Sequence, residues 1–299
     1  MRTTKRFTPA VLERFRRQGR SVGTYGDYTP WHRVGRGDPA SRGRSHLVPW
    51  KLRLLELLSD EEWVACSFAL MVQELEDLRE QFALSLEACP HELLAYDRRL
   101  EAKTLPGTLE LAGQLGMKHP MVYDKGESAP WVMTTDLLLT LRRPTGHLKL
   151  LAVACKSDMD TATPRTIEKL RLESCYWQCR KVHWLLLTPK QYDESVGLTL
   201  RDSIGYVTSD RLPDSSRHAA CAVAKAASGR SLTTAFRQLA DRLGSLHLAQ
   251  CAFWQAVWSG ELPLDLRRSW RTHEPIALLE AEAFRALNPI ASRRTAWNR

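Results

Sequence analysis

The sequence predicts an α/β fold with a mixed sheet, followed by a small helical domain. Three observations carry this. Two apolar runs, at 136–141 and 148–155, flank a Pro/Gly-containing break at 142–146, the pattern of an antiparallel hairpin. Residues 166–181 have helical periodicity and lead into a second buried run at 182–187, so helix, strand, hairpin, helix and strand follow one another. From Ser215 the texture changes to Ala-rich helical segments.

Composition sets the bounds. The chain has 299 residues, 43% hydrophobic and 26% charged, enough for about two domains of ~150 residues each. Its net charge is +9 and its pI near 9.3. Much of the basic excess is N-terminal, from Arg2 and Arg6 through Arg14, Arg16, Arg17, Arg20, Arg33 and Arg36 to Arg42 and Arg44. Such an excess favours a polyanionic partner, because each neutralised phosphate releases counterions. No apolar run approaches the ~20 residues that span a bilayer, so no membrane partner is expected. The first residues lack the apolar core of a secretory leader, so none is expected. The seven cysteines form no Cys-x-x-Cys pair, which argues against a zinc ribbon or disulfide framework and suits a reducing cytoplasm.

In chain order, residues 1–50 read as a basic, turn-rich arm with a short helix at 8–18 and interleaved aromatics around Tyr28-Thr29-Pro30-Trp31. Arg16, Arg17, Arg20 and Arg44 are its candidate phosphate contacts, joined by Lys118 and His119 further on. The competing reading is an arm draped over its own domain. Residues 54–70 are expected to be helical, with Ser59 as N-cap and Glu62 at the third position of a capping box. Residues 71–84 begin as helix and end as a strand. Residues 87–116 are a polar, helical insert, 118–123 a loop entering a strand, and 126–130 a turn. After a transition at 193–213 come helices at 217–227, 232–243 and 246–257, a short strand at 262–266 and a helix at 276–287. Three helices ending in a strand pair suggest a winged-helix-like module, with generic three-helix packing the alternative. The domains expected are therefore 1–50, 51–210 and 215–299.

The chemistry gathers at the hairpin. Asp136 opens its first strand and Lys156 closes its second, so the two meet at one sheet edge. The carboxylate is a hard oxygen ligand for Mg²⁺, and the ammonium can balance charge on a phosphate or an attacking water. The competing reading is a pair of solvated turn residues, and Glu62 is already explained by its cap.

The ordered set Leu58-Ser59-Asp60-Glu61-Glu62-Trp63, Asp77–Phe82, Lys118-His119-Pro120, Met133-Thr134-Thr135-Asp136, Val153-Ala154-Cys155-Lys156, Arg165–Glu173, Tyr176-Trp177-Gln178 and His183–Thr188, with Tyr28–Trp31 and Gly43–His46 upstream, resembles the TnsA endonuclease subunits of heteromeric cut-and-paste transposases. The resemblance runs from about residue 11 to about residue 207. It implies a restriction-endonuclease-like core, a winged-helix-like C-terminal domain, and cytoplasmic work on bacterial DNA. It implies Mg²⁺-dependent cleavage of the 5′ ends of a mobile element, with Mn²⁺ able to substitute. The implied partners are double-stranded transposon-end DNA, the transposase TnsB, and the ATPase TnsC through the C-terminal domain. Carried over by position, Glu62, Asp136 and Lys156 are catalytic, and Glu62, Asp136 and Cys155 hold metal.

Ala154 departs from the pattern, which has a polar or acidic residue there. Either Asp158, Asp160 or Glu173 substitutes, or waters fill the coordination, or the nuclease is weakened. The last option gives the alternative function, a DNA-binding scaffold between transposase and ATPase. The aromatics Phe253, Trp254, Trp258 and Trp270 exceed the evident needs of a small C-terminal core, and the 246–258 helix carries no Lys or Arg. Both points suggest an exposed protein-docking surface there.

Overall fold

The computed structural model describes residues 6–41, 43–157, 163–268 and 271–297. Arg2, Arg42, Asp158, Asp160, Trp270 and Arg299 lie outside the described residues. The chain forms two compact units, the first comprising residues 1–48, 52–62 and 74–186, the second 49–51, 63–73 and 187–299.

A four-stranded mixed sheet is the frame of the first unit. Its order is β10 (His183–Leu187), β9 (Leu148–Cys155), β8 (Thr134–Arg142) and β3 (Leu75–Ala83). The predicted hairpin is β8–β9, paired antiparallel with Leu137 opposite Val153 and Leu139 opposite Leu151. Every β8 residue from Thr135 to Leu141 is buried. An unbroken buried run, rather than alternation, marks a strand covered on both faces. The helix α4 (Pro164–Cys179), capped by the Thr163 side chain, carries the chain from β9 to its neighbour β10.

The N-terminal arm is part of this core. Thr8 caps helix α1 (Pro9–Arg17) through Val11 N, and Leu12 and Phe15 are fully buried against Trp31, Val122 and Val132. Trp31 N donates to the Gln81 carbonyl at 3.1 Å and Ala83 N to Ser21 Oγ at 2.8 Å, so the arm closes the outer edge of β3. Unpaired strand edges invite aggregation, and this one is covered.

Several expectations are corrected. Residues 54–57 belong to strand β2 (Arg53–Leu57), paired with β1 (His46–Trp50), and the helix α2 (Asp60–Leu70) starts only after Ser59. The competing force is ionic: Arg53 pairs with Glu80 at 2.7 Å and donates to the Leu78 carbonyl, while Glu56 N donates to Glu80 at 3.0 Å. Residues 71–74 are not helical; α2 ends at Leu70 and β3 begins at Leu75. The 87–116 insert holds a short ribbon, β4 (Cys89–Pro90) with β5 (Thr104–Leu105), and becomes α-helical only at α3 (Thr108–Gln114). Arg180 anchors it: the guanidinium stacks 3.4 Å from the centroid of the Tyr176 ring and pairs with Glu92 at 2.8 Å. Residues 126–130 are mostly strand β7 (Glu127–Pro130), paired with β6 (Met121–Asp124). The turn is only Lys125-Gly126, both at positive φ, as a two-residue hairpin of matching twist requires.

In the second unit, the 193–213 transition is mostly helix α5 (Glu194–Val207). It is followed by α6 (Asp214–Ala226), α7 (Leu232–Leu243), α8 (Leu246–Trp258) and α9 (Ala281–Leu287). Among the described residues, isolated bridges, Leu264 with Leu278 and Ser231 with Pro275, stand where a strand pair is expected, and residues 276–280 precede the last helix. The expected exposure of the α8 aromatics is overturned. Phe253, Trp254 and Trp258 are 0%, 5% and 3% exposed, and Trp258 Nε1 donates to Ser203 at 3.0 Å. Helix α8 carries no Lys or Arg because it is the hydrophobic centre, packed by α5, α6 and α7.

The Arg53–Glu80 pair yields a stability test. Glu80→Ala leaves a buried guanidinium without its carboxylate and lowers the unfolding free energy by about 3–5 kcal/mol in urea titrations. A loss below about 1 kcal/mol contradicts the role given to the pair.

Candidate active site

One cleft of about 420 Å³ in the first unit is lined by Glu62, Asp136, Cys155, Lys156, Lys169 and Glu173, among others. Glu62 enters from the first turn of α2. Its backbone N donates to Ser59 Oγ at 3.1 Å, as the capping reading predicts. Its carboxylate accepts from Leu58 N at 2.8 Å, one residue before the partner a capping box uses, and still lines the cleft. Cap and cleft are therefore served by the same residue.

The hairpin brings Asp136 and Lys156 together as expected. Asp136 Oδ2 accepts from Lys156 Nζ at 2.9 Å and from Cys155 N at 2.7 Å. Lys156 Nζ also donates to the Cys155 carbonyl at 2.7 Å. Asp136 is 7% exposed, so it is an embedded group and not the solvent-facing one its place at a strand end suggests. Glu173, on α4, adds a third carboxylate to the lining of the cleft. Its Oε1 accepts from Thr135 Oγ1 at 2.8 Å and Trp184 Nε1 at 3.1 Å, and Thr135 Oγ1 in turn accepts from Trp177 Nε1 at 2.7 Å. In the sequence Glu173 is one of two acids on this helix, with Glu168, and the packing of α4 on the sheet selects it. Gln81, buried on β3, donates to Glu62 Oε2 at 3.1 Å and Asp136 Oδ1 at 3.5 Å, and no signal in the sequence marks it.

The electrostatics follow from crowding. Burial first, and then the Asp136 charge, push the Glu62 carboxyl up to about 8 and the Glu173 carboxyl up to about 7. Burial alone would lower the Lys156 ammonium, but Asp136 and Glu173 outweigh it and raise it above the usual lysine value. Burial raises the Cys155 thiol well above its ordinary value, leaving its carbonyl oxygen as the useful donor. Among the described residues, no three His, Cys, Asp or Glu side chains converge to enclose an ion. Two carboxylates and a carbonyl suit a cation that keeps several waters, as Mg²⁺ does. Like charges crowded in a low-dielectric cleft fit a divalent cation better than a neutral ligand. Ala154 adds only a buried methyl group.

The DNA-contact candidates are dispersed. Arg16 and Arg17 are exposed on α1, and Arg44 is exposed beside Asp60 at 3.1 Å. Arg20 is instead an internal brace: its guanidinium lies 3.6 Å from the Phe15 ring centroid, pairs with Asp38 at 2.6 Å and donates to the Trp31 carbonyl. Lys118 is exposed, and its carbonyl accepts from Arg165 at 3.4 Å. His119 is held through both ring nitrogens, by the Pro120 carbonyl at 2.9 Å and Thr108 at 3.1 Å. On the cleft wall, α4 adds the exposed Lys169, which nothing in the sequence distinguishes from the other basic residues of that helix.

Comparison with known proteins bears on this site. Residues 74–189 match the family described as TnsA-like endonuclease N terminal. The chain is 30% identical over 193 residues to the transposon Tn7 transposition protein TnsA of Escherichia coli, an alignment covering 64% of this chain. The chain spans about 60% of the length of that curated relative.

The crowded carboxyls predict a pH dependence. Both Glu62 and Glu173 stand above the ordinary value of 4.5, so folding favours their protonated forms. Their contribution to stability is complete below that value and is lost as pH rises through about 7 and about 8. In chelator, unfolding free energy falls by a few kcal/mol from about pH 5 to about pH 9, because each tenfold change in acid strength on folding is worth ~1.4 kcal/mol. Asp136→Asn flattens this fall by removing the neighbouring charge. An unchanged profile in that variant contradicts the coupling.

Proposed function

We propose that this chain, whose residues 74–189 form a TnsA-like endonuclease N-terminal domain, is the endonuclease subunit of a transposase, hydrolysing phosphodiesters at the ends of a mobile element. The observation that supports this best is the pairing of Asp136 with Lys156 in a cleft that Glu62 and Glu173 also line.

Glu62, Asp136 and the Cys155 carbonyl are the residues suited to hold Mg²⁺ or Mn²⁺. The ion would supply Lewis-acid polarisation of the phosphate and a water of lowered pKa. Lys156, held charged by Asp136 and Glu173, donates hydrogen bonds and balances phosphate charge; a general-base role would require it to lose the proton that these carboxylates retain. Cys155 N fixes the Asp136 carboxylate, and the Thr135–Glu173–Trp184 bonds fix the third acid. Exposed Arg16, Arg17, Arg44 and Lys118 and the cleft lysine Lys169 supply the positive field for the DNA backbone. No element among the described residues is shaped as an obvious base reader, so a partner transposase is assigned the choice of site. Contact with an ATPase through residues 215–299 rests on the resemblance alone, since Phe253, Trp254 and Trp258 are internal. No helix among the described residues is long and apolar enough to cross a membrane.

The test is Mg²⁺-dependent nicking of transposon-end duplex by purified protein, with and without the partner transposase. Asp136→Asn keeps the carboxylate's shape and is expected to lower nicking by at least about a thousandfold while unfolding at nearly the wild-type denaturant concentration in neutral buffer. Nicking within tenfold of wild type by this variant excludes Asp136 from the chemistry. Binding of DNA with no cleavage by the wild-type protein under any partner condition favours the scaffold reading, for which the methyl of Ala154 is the supporting observation.

A further inference from the structure

Gln81 carries an inference of its own. It is 2% exposed and adopts φ +47° within β3, a left-handed conformation that L side chains rarely take. Its neighbours in the ladder, Glu80 and Phe82, oppose Leu137 and Thr135, which sets Gln81 across from Asp136. Its backbone carbonyl accepts from Trp31 N. Its amide lies beside the acids of the cleft: Nε2 donates to Glu62 Oε2 at 3.1 Å and to Asp136 Oδ1 at 3.5 Å. Thr134 Oγ1 donates to Gln81 Oε1 at 3.3 Å, fixing which end of the amide faces the acids. A strained backbone held in place by its surroundings is found preferentially at functional sites.

Resting on the metal-dependent nuclease reading above, we infer that Gln81 is a positioning residue that aligns the Glu62 and Asp136 carboxylates for a shared divalent cation. The chemistry of the amide favours this role. An Arg or Lys at that point would neutralise the two acids and compete with the cation. A neutral carboxamide orders both oxygens through its N–H donors and leaves their negative charge in place. The two acids come from different elements, α2 and β8, and the amide joins them directly.

Two substitutions separate positioning from folding. Gln81→Met keeps the length of the side chain and removes both its donors and its acceptor. Gln81→Gly removes the side chain at a φ that glycine adopts without strain, so it relaxes the backbone. Mn²⁺ binding by the full-length chain is read by electron paramagnetic resonance, independently of cleavage. Both variants are expected to weaken Mn²⁺ about 10- to 100-fold, the range for a lost outer hydrogen-bond partner of a metal ligand. Gln81→Gly is expected to unfold at or above the wild-type denaturant concentration. Wild-type Mn²⁺ affinity in both variants overturns the inference while leaving the nuclease reading intact. Failure of the wild-type chain itself to bind Mn²⁺ overturns the metal reading and this inference together. Weakened binding in Gln81→Gly with undiminished stability supports positioning, because a merely structural glutamine would not separate the two measurements.

Discussion

The central constraint on the first unit is the burial of like charges. Glu62, Asp136 and Glu173 share a cleft with the Lys156 ammonium. Moving carboxylates out of water disfavours ionisation, and each ionised neighbour disfavours it again. The fold answers with directed donors: Leu58 N on Glu62, Cys155 N and Lys156 on Asp136, and Thr135 and Trp184 on Glu173. Each donor requires one element to lie where it does. The β8–β9 register delivers Cys155 N to Asp136, the entry to α2 delivers Leu58 N, and the packing of α4 and β10 delivers Glu173 and Trp184. The site is therefore a condition on the arrangement of the sheet and not a decoration of one strand.

How much of this is legible in the sequence depends on the range of the interactions involved. The β8–β9 hairpin is readable because two uninterrupted apolar runs flank a break with Pro144 and Gly146, a purely local signal. The Ser59 cap and the Thr8–Gln18 helix are local too. Residues 54–57 read as helix because their apolar pattern suits either state, and the strand is selected by Glu80, more than twenty residues away. Gln81 carries no sequence signal, since its role depends on a backbone turn and on acids from two other elements. Glu173 is visible only as one candidate among several acids. The aromatics of α8 mislead because a helix apolar on all sides is a core element, and residue counting cannot tell surplus aromatics from a centre around which three helices pack.

The basic arm shows how one residue type divides its work. Arg20 is drawn inward onto Phe15 and Asp38, while Arg33 stays exposed and pairs with the buried Glu56 at 2.7 Å. Arg16 and Arg17 stay on the outer face of α1. A guanidinium engaged by a buried carboxylate and an aromatic face has little left for phosphate, so net charge overstates the surface available for DNA. Arg20 matters indirectly, because it donates to the Trp31 carbonyl and Trp31 N donates to the carbonyl of Gln81.

That last link connects the arm to the chemistry. Gln81 keeps its left-handed conformation only while its carbonyl has the Trp31 amide to meet on the outer side and its side chain has Glu62, Asp136 and Thr134 on the inner side. Loosening the arm would release the carbonyl and let the residue return to extended backbone, which swings a side chain to the opposite face of a strand. The amide would then leave the two acids, whose mutual repulsion would no longer be opposed by a shared donor. Covering the edge of β3 thus does more than prevent aggregation: it fixes the geometry of the cleft from behind, and it explains in physical terms why an N-terminal segment contributing no side chain to the lining of the cleft is built into the same compact unit.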